Sequence, residues 1–293
     1  MKALYDVPAP AKLNLFLHVL GRRDDGYHLL QSVFMLIDWS DTLHFELRDD
    51  GAITREDLGA ALPPDDLVVR AARALQQAFG TSAGAHIGLE KHIPIQAGMG
   101  GGSSDAASCL LALNRMWGLG ATLPQLEKIG LGLGADVPFF LRGRNAWVEG
   151  IGDRILPMDL PPARFAVAKP PQGLDTARIF SDPQLKRDSA PAIISGFAAK
   201  RDGGFPHGFG RNDLQPVAQR LCPAVTQALQ WLGDQGLEAR MTGSGSAVFA
   251  RMTQEKSLLP APSGWQVREC TNLAVHPLSG WAASDDFGGG PGS

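Results

Sequence analysis

Residues 98–104 read Gly-Met-Gly-Gly-Gly-Ser-Ser and carry the strongest chemical signal in the chain. Gly98, Gly100, Gly101 and Gly102 lack the Cβ that restricts a backbone, so the segment can take positive φ. Consecutive N–H groups freed in this way converge on an anion. A helix opening near Ser103 adds unpaired N–H groups and a positive dipole end, which together make a phosphate cradle. Ser103 and Ser104 supply hydroxyls, one of them a candidate partner for a metal-bound water. No Gly-Lys-Ser or Gly-Lys-Thr follows, so this is not a Walker loop. Gly98-x-Gly100-x-x-Ser103 also lacks the third glycine of a dinucleotide fingerprint. The competing reading is a plain loop that caps a helix. A second constellation is Lys12 with Asn14, two residues apart and therefore on one face of a strand. The alternative there is a solvated sheet face.

The elements that must position these groups follow from periodicity. Residues 11–20 alternate: Leu13, Leu15, Leu17 and Val19 point one way, and Lys12, Asn14, Phe16 and His18 the other. Residues 21–26 form a turn, and strands follow near 28–37 and 42–47. Residues 66–79 change to a helical period, with Asp66 as N-cap. A strand over 86–93 leads into the glycine loop and a helix to about Met116. Thr122 and Pro124 start another helix, which ends in the glycines at 130–134. Residues 145–149 and 154–156 read as a hairpin around Gly150 and Gly152, and Pro157–Pro162 as a linker. Beyond it come a strand at 164–168, a helical stretch from 176 through 185 and further, and two helices within 212–233. Strands at 237–242 and 246–251 flank Gly243-Ser-Gly245. A short helix and a strand at 265–272 complete the order. It predicts two domains, 1–156 and 157–283, the second α+β with an antiparallel sheet, and a flexible tail at 284–293.

Composition narrows the function classes. The chain has 293 residues, 44% of them hydrophobic and 19% charged, a soluble globular balance. A net charge of −3 without a basic run disfavours non-specific nucleic-acid binding. No apolar stretch approaches a membrane span. Met1–Pro10 lacks an apolar signal core, so a cytoplasmic location is expected. Cys109, Cys222 and Cys270 read as reduced thiols. The seven histidines show no HExxH spacing, so no metal held by a protein cage is expected. The 35 glycines exceed average usage of about 7% and ask for an explanation.

Pro94-x-x-x-Gly98-Met-Gly-Gly-Gly-Ser-Ser-x-Ala106 resembles the phosphate-binding motif of the GHMP kinases, the family of galactokinase, homoserine kinase and mevalonate kinase. Further segments agree in order and spacing: Pro10-Ala-Lys-Leu-Asn-Leu-Phe-Leu17, Asp25-Gly-Tyr-His28, Gly134-Ala-Asp-Val-Pro-Phe139, Ile179-Phe-x-Asp-Pro183, Arg211-Asn-Asp213 and Thr242-Gly-Ser-Gly245. The set runs from about residue 8 to 276. Within the family it resembles the branch that phosphorylates the 2-hydroxyl of 4-diphosphocytidyl-2-C-methyl-D-erythritol. Asp66 and Asp105 stand where that branch usually has asparagine.

The resemblance implies an α+β, two-domain GHMP kinase fold, with a ribosomal-protein-S5-like α/β N-terminal domain and a ferredoxin-like C-terminal domain. It implies ATP and Mg²⁺, with ATP held by Pro94, Ile95, Gln96, Ala97, Gly98, Met99, Gly100, Gly101, Gly102, Ser103 and Ser104. Lys91 and Asp66 are expected near the adenine or ribose, and the metal near Ser104. Transfer to an alcohol needs held phosphates, charge neutralisation and an aligned hydroxyl. Asp136 is the candidate acceptor for the hydroxyl proton, with Lys12 as its cationic partner; a turn acid capping backbone N–H groups is the alternative. Tyr27 and Phe180 are candidates to pack on a cytosine, and His28 to hydrogen-bond its edge. Asn14 and Thr176 are candidates for the methylerythritol end. The expected partner is a small molecule with a cytidine diphosphate moiety, taken by a monomer or weak homodimer. Another small-alcohol kinase of the family, or a silent nucleotide-binding protein, are the competing functions.

Overall fold

The computed structural model describes residues 1–59, 61–199, 206, 208–253 and 257–283. The expected tail at 284–293 lies outside them. Strands β1 (Ala3–Arg22) and β2 (His28–Arg48) form a long antiparallel pair. The segments expected as separate strands near 28–37 and 42–47 are one strand of 21 residues. The polar residues that look like a break between them have distant partners. Asp38 accepts from the Thr271 backbone N–H, and Asp41 from those of His92 and Ile93.

β2 is central. β1 covers one of its edges, and β4 (Gly84–Glu90) and β5 (Ala146–Gly150) share the other. β3 (Ile53–Asp57), which periodicity does not signal, joins parallel to β4, and β6 (Arg154–Pro157) closes the expected hairpin with β5. Helices α1 (Leu67–Phe79), α2 (Gly101–Trp117), α3 (Leu123–Leu133) and α4 (Val137–Arg142) contribute to the core cluster on one face of this mixed sheet. α1 starts where expected, since the Asp66 side chain accepts from Val69 N–H, and it ends at left-handed Gly80. A capping box of Thr122 and Gln125 starts α3. At six residues, α4 is too short to announce itself by period.

A second sheet is wholly antiparallel, in the order β10 (Gln266–Thr271), β7 (Arg164–Lys169), β9 (Val248–Met252), β8 (Ala239–Met241). Phe165, Val167 and Phe249 pack against Leu13, Met35 and Ile37 of the first sheet. Ala166, Ala168 and Val248 on the opposite face meet α5 (Thr176–Ser181), α7 (Gln215–Leu221) and α8 (Pro223–Gly233). The result is four layers: helices, mixed sheet, antiparallel sheet, helices. α5 has only six residues, so the helix expected through 185 and beyond stops early; α6 (Ile194–Ala199) is a separate short turn. The short helix expected between the strands at 246–251 and 265–272 falls in part on residues 254–256, outside the described residues; residues 257–262 take no regular structure, and Pro260 and Pro262 withhold backbone donors there. Among the described residues no helix is long and apolar enough to cross a membrane.

One irregularity decides the face of β1 that matters. Asn14 pairs with Phe34, but Leu17 pairs with Ser32, so three steps on β1 match two on β2. This bulge reverses the alternation. Lys12, Asn14 and Leu17 share one face, while Phe16 turns to the other, 5.4 Å from the Trp147 ring and 4.9 Å from that of His18. The expected grouping of Phe16 and His18 with Lys12 and Asn14 is thereby corrected. Neither face is solvated: Lys12, Asn14, Leu13 and Phe16 are all buried.

Candidate active site

A cavity of about 1040 Å³ opens beside the Lys12 face of β1. That is the upper end of small-molecule sites, about 300–1,000 Å³, and leaves room for two ligands. Its lining draws on β1, β2, the glycine loop, the N-terminal ends of α1, α2 and α5, and the β8–β9 turn.

The glycine loop is fixed by backbone bonds on both sides. Lys12 N–H donates to Met99 O at 2.9 Å, Ser246 N–H to Gln96 O at 3.1 Å and Ala247 N–H to Ala97 O at 3.2 Å. Gly98 and Gly100 have φ of 71° and 72°, which glycine takes without strain. Gly100 is the N-cap of α2, and no side chain caps that helix. Ser104 N–H already bonds Gly100 O. The N–H groups of Gly101, Gly102 and Ser103 therefore begin α2 without an intrahelical partner, in a segment that lines the cavity. Such a helix start is chemically suited to an anion.

Lys12 projects into the same cavity although only 4% exposed. Its ammonium donates to Asn14 Oδ1 at 2.5 Å, lies 3.4 Å from Asp136 Oδ2, and sits 4.3 Å from the centre of the Phe34 ring. Asn14 is oriented in turn: its Nδ2 donates to Ser32 Oγ at 2.9 Å, and its N–H to Thr242 Oγ1 at 2.9 Å. Asp136 stands at the N-cap position of α4 yet caps nothing with its side chain. Its carboxylate is 30% exposed. It is thus available to a ligand, and the reading of Asp136 as a turn acid that caps backbone donors fails.

Tyr27, Thr176 and Phe180 also line the cavity. Thr176 Oγ1 lies 2.7 Å from Ser244 Oγ, a link between α5 and the β8–β9 turn. Pro94, Ile95, Gln96, Ala97, Gly98, Met99, Gly101, Gly102, Ser103, Lys91 and Asp66 are all in the lining as well.

Two expected residues are not. Ser104 is buried, and its hydroxyl donates to Pro10 O at 2.7 Å. It braces α2 against β1, and its hydroxyl is buried outside the cavity lining. The His28 ring is set back behind Phe180, 4.9 Å between ring centres, and its Nε2 accepts from Arg187 Nε at 3.0 Å. Burial, then Arg187 and Arg22, lower its pKa from the usual histidine value. A neutral ring that accepts at Nε2 carries its proton on Nδ1.

Lys91 reaches the cavity, but its ammonium is engaged by Asp41 and Asp105. Burial opposes its charge, and the carboxylates of Asp105 and Asp41 outweigh it, raising its pKa. Burial pushes Asp105 well above the usual carboxylate range, Asp41 adding to it against the pull of Lys91. Residues that sequence reasoning missed include Leu17, Phe34, Asp105 and Ser244. The serine of Gly243-Ser-Gly245 was in view only as part of a turn.

Comparison with known proteins agrees with this geometry. Residues 66–144 match the GHMP kinases N terminal domain, and residues 203–258 the GHMP kinases C terminal. The chain is 68% identical over 295 residues to the 4-diphosphocytidyl-2-C-methyl-D-erythritol kinase of Variovorax paradoxus (strain S110), covering 96% of this chain and 100% of that one. It is 69% identical over 285 residues to the kinase of that name from Albidiferax ferrireducens, covering 97% and 98%. A crystal structure of 4-(cytidine 5'-diphospho)-2C-methyl-D-erythritol kinase superposes with a TM-score of 0.73 at 35% identity, over 86% of this chain and 90% of that one. Homoserine kinase from Cytophaga hutchinsonii, at 14% identity over 94% and 96% and a TM-score of 0.67, shares the fold. With an uncapped helix start, a glycine loop and the Lys12–Asp136 pair lining one cavity, and with such identity over nearly its whole length, the chain belongs to the 4-diphosphocytidyl-2-C-methyl-D-erythritol kinase family of the GHMP kinases.

Proposed function

We propose that the chain transfers the γ-phosphoryl group of ATP to the 2-hydroxyl of 4-diphosphocytidyl-2-C-methyl-D-erythritol, giving the 2-phosphate and ADP, in non-mevalonate isoprenoid precursor synthesis. The observation that carries this is the placement of the Lys12–Asp136 pair beside the uncapped start of α2. The N–H groups of Gly101, Gly102 and Ser103 take the phosphates, and ATP lies along residues 94–103 with its base toward Lys91 and Asp66. The cytidine end lies at Tyr27 and Phe180, with Asn14 and Thr176 toward the polyol.

Asp136 accepts the hydroxyl proton, and Lys12 holds that carboxylate in place while adding positive charge near the transferring group. Transfer is loose in character, so orientation of the hydroxyl by Asp136 contributes alongside proton removal. Mg²⁺ neutralises phosphate charge when bound. The free oxygens of Asp136 and Ser103 suit a hard cation that keeps most of its ligands as phosphate and water. We place the enzyme in the cytoplasm, as a monomer or weak homodimer.

Incubation of the protein with ATP, Mg²⁺ and the cytidyl substrate should release ADP and the 2-phosphate. No turnover by a folded sample, or faster turnover of mevalonate or homoserine, overturns the assignment.

A further inference from the structure

Arg55 lies on β3, outside the cavity lining, yet it holds one of the cavity's walls. Its side chain is buried between two carboxylates. Nε faces Asp57 Oδ1 at 2.8 Å, and Nη1 faces Asp66 Oδ1 at 2.8 Å. Nη1 also donates to Pro63 O at 3.0 Å, and Nη2 to Asp57 Oδ2 at 3.1 Å and Leu62 O at 3.3 Å. Asp57 Oδ2 accepts in turn from Leu62 N–H at 2.9 Å. Leu62, Pro63, Asp66 and Leu67 all line the cavity. This wall adjoins the glycine loop, because Leu67 Cδ1 is 3.4 Å from where a Cβ on Gly102 would stand.

Asp66 lines the same wall, where a bare carboxylate would oppose an anionic nucleotide. Its Oδ1 instead accepts from Val69 N–H at 3.1 Å and faces Arg55. A buried guanidinium that meets two carboxylates and two carbonyls is the planar, multidentate use to which arginine is suited and lysine is not. We propose that Arg55 is a positioning residue for the nucleotide: it neutralises Asp66 and ties residues 62–66 into the wall beside the glycine loop. This rests on the reading that the glycine loop receives ATP.

The test uses the full chain with Arg55→Met. KM for ATP should rise about tenfold, as expected for one uncompensated like charge near the phosphates. kcat and KM for the cytidyl substrate should stay within about threefold. In an Asp66→Asn background, Arg55→Met should change KM for ATP by no more than about threefold relative to Asp66→Asn alone, since the cavity-lining carboxylate that Arg55 balanced is gone. ADP affinity by calorimetry should follow the same order, and it needs no acceptor, so a failed acceptor assignment leaves this test intact. An ATP KM and ADP affinity of Arg55→Met within twofold of the parent, a uniform fall in all parameters, or a full tenfold effect of Arg55→Met in the Asp66→Asn background overturns the proposal. Should Arg55→Met not fold, the double variant is compared with Asp66→Asn alone. ADP affinities within about threefold support the proposal, and a tenfold gap overturns it.

Discussion

Gly98 and Gly243 meet backbone to backbone. A Cβ on Gly98 would stand 2.3 Å from Thr242 O, and one on Gly243 would stand 2.4 Å from Gly98 O. The phosphate loop of one sheet and the β8–β9 turn of the other thus touch where neither has a side chain.

Gly98→Ala and Gly243→Ala should each destabilise the fold by about 3 kcal/mol, because left-handed φ and a backbone clash act together. Gly102→Ala is the contrast. It lies inside α2, and its Cβ would meet only Leu67 Cδ1 at 3.4 Å. Its stability should stay within about 1 kcal/mol of the parent. Urea titration of the three variants checks the order.

Asp136→Asn should lower kcat more than about a hundredfold while ATP affinity stays within a few fold. The amide keeps the size of the carboxylate and removes its basicity. Stopped assays for ADP with a parallel nucleotide-binding measurement separate the two effects. Near-normal turnover would remove Asp136 from the chemistry.

Arg187→Met should act at the wall that holds Phe180. Arg187 donates to Phe180 O at 2.9 Å, Asp182 O at 2.8 Å and Leu185 O at 3.0 Å, besides His28. Its loss should raise KM for the cytidyl substrate about tenfold, the scale of one charged hydrogen bond, and leave KM for ATP unchanged. The His28 pKa should rise as well, since Arg187 is one of the groups that lower it. NMR titration of the ring in parent and variant reads this directly.

His276 sets an acid limit on stability. It is buried, its Nδ1 accepts from Leu278 N–H at 3.0 Å, and its Nε2 has no hydrogen-bond partner among the described residues. Burial lowers its pKa from 6.5 to about 4. Below pH 6.5 the unfolded chain takes up a proton that the folded chain refuses. Stability is therefore full above pH 6.5 and falls as pH drops toward 4, by up to about 3 kcal/mol. His276→Asn, which keeps an acceptor for Leu278 N–H, should flatten that slope in denaturation series across this range.

Much of the scaffold was legible because local pattern decides it. α1 and α3 carry caps at the expected residues, and β7 to β10 alternate or run apolar between turn residues. What stayed hidden depends on pairing at a distance. The β1 bulge is a property of register with β2, so Leu17 reads as a neighbour of Leu13 although it faces the cavity with Asn14. Asp41 falls in the gap between the strands expected near 28–37 and 42–47, and its cationic partner Lys91 lies 50 positions away. At the site, residue types marked the loop, Lys12, Asp136, Tyr27 and Phe180 correctly as cavity groups. They did not separate Ser103 from Ser104, since adjacent residues on a helix face different ways. Arg55 and Arg187 had no motif to mark them, since their partners, backbone carbonyls among them, are brought together only by the fold.

The four layers also bear on how the chain is made. Leu17 N–H donates to Arg211 O, Asn14 N–H to Thr242 Oγ1, and Leu273 N–H to Leu36 O. The first two strands are thus completed by residues synthesised some two hundred positions later. A nascent chain that has emerged only through β6 holds Leu13, Met35 and Ile37 uncovered, with the outer edge of β1 unpaired. Such a surface invites association with other chains until the antiparallel sheet arrives to cover it. Truncation after β6 should therefore yield insoluble or chaperone-bound protein rather than a folded half.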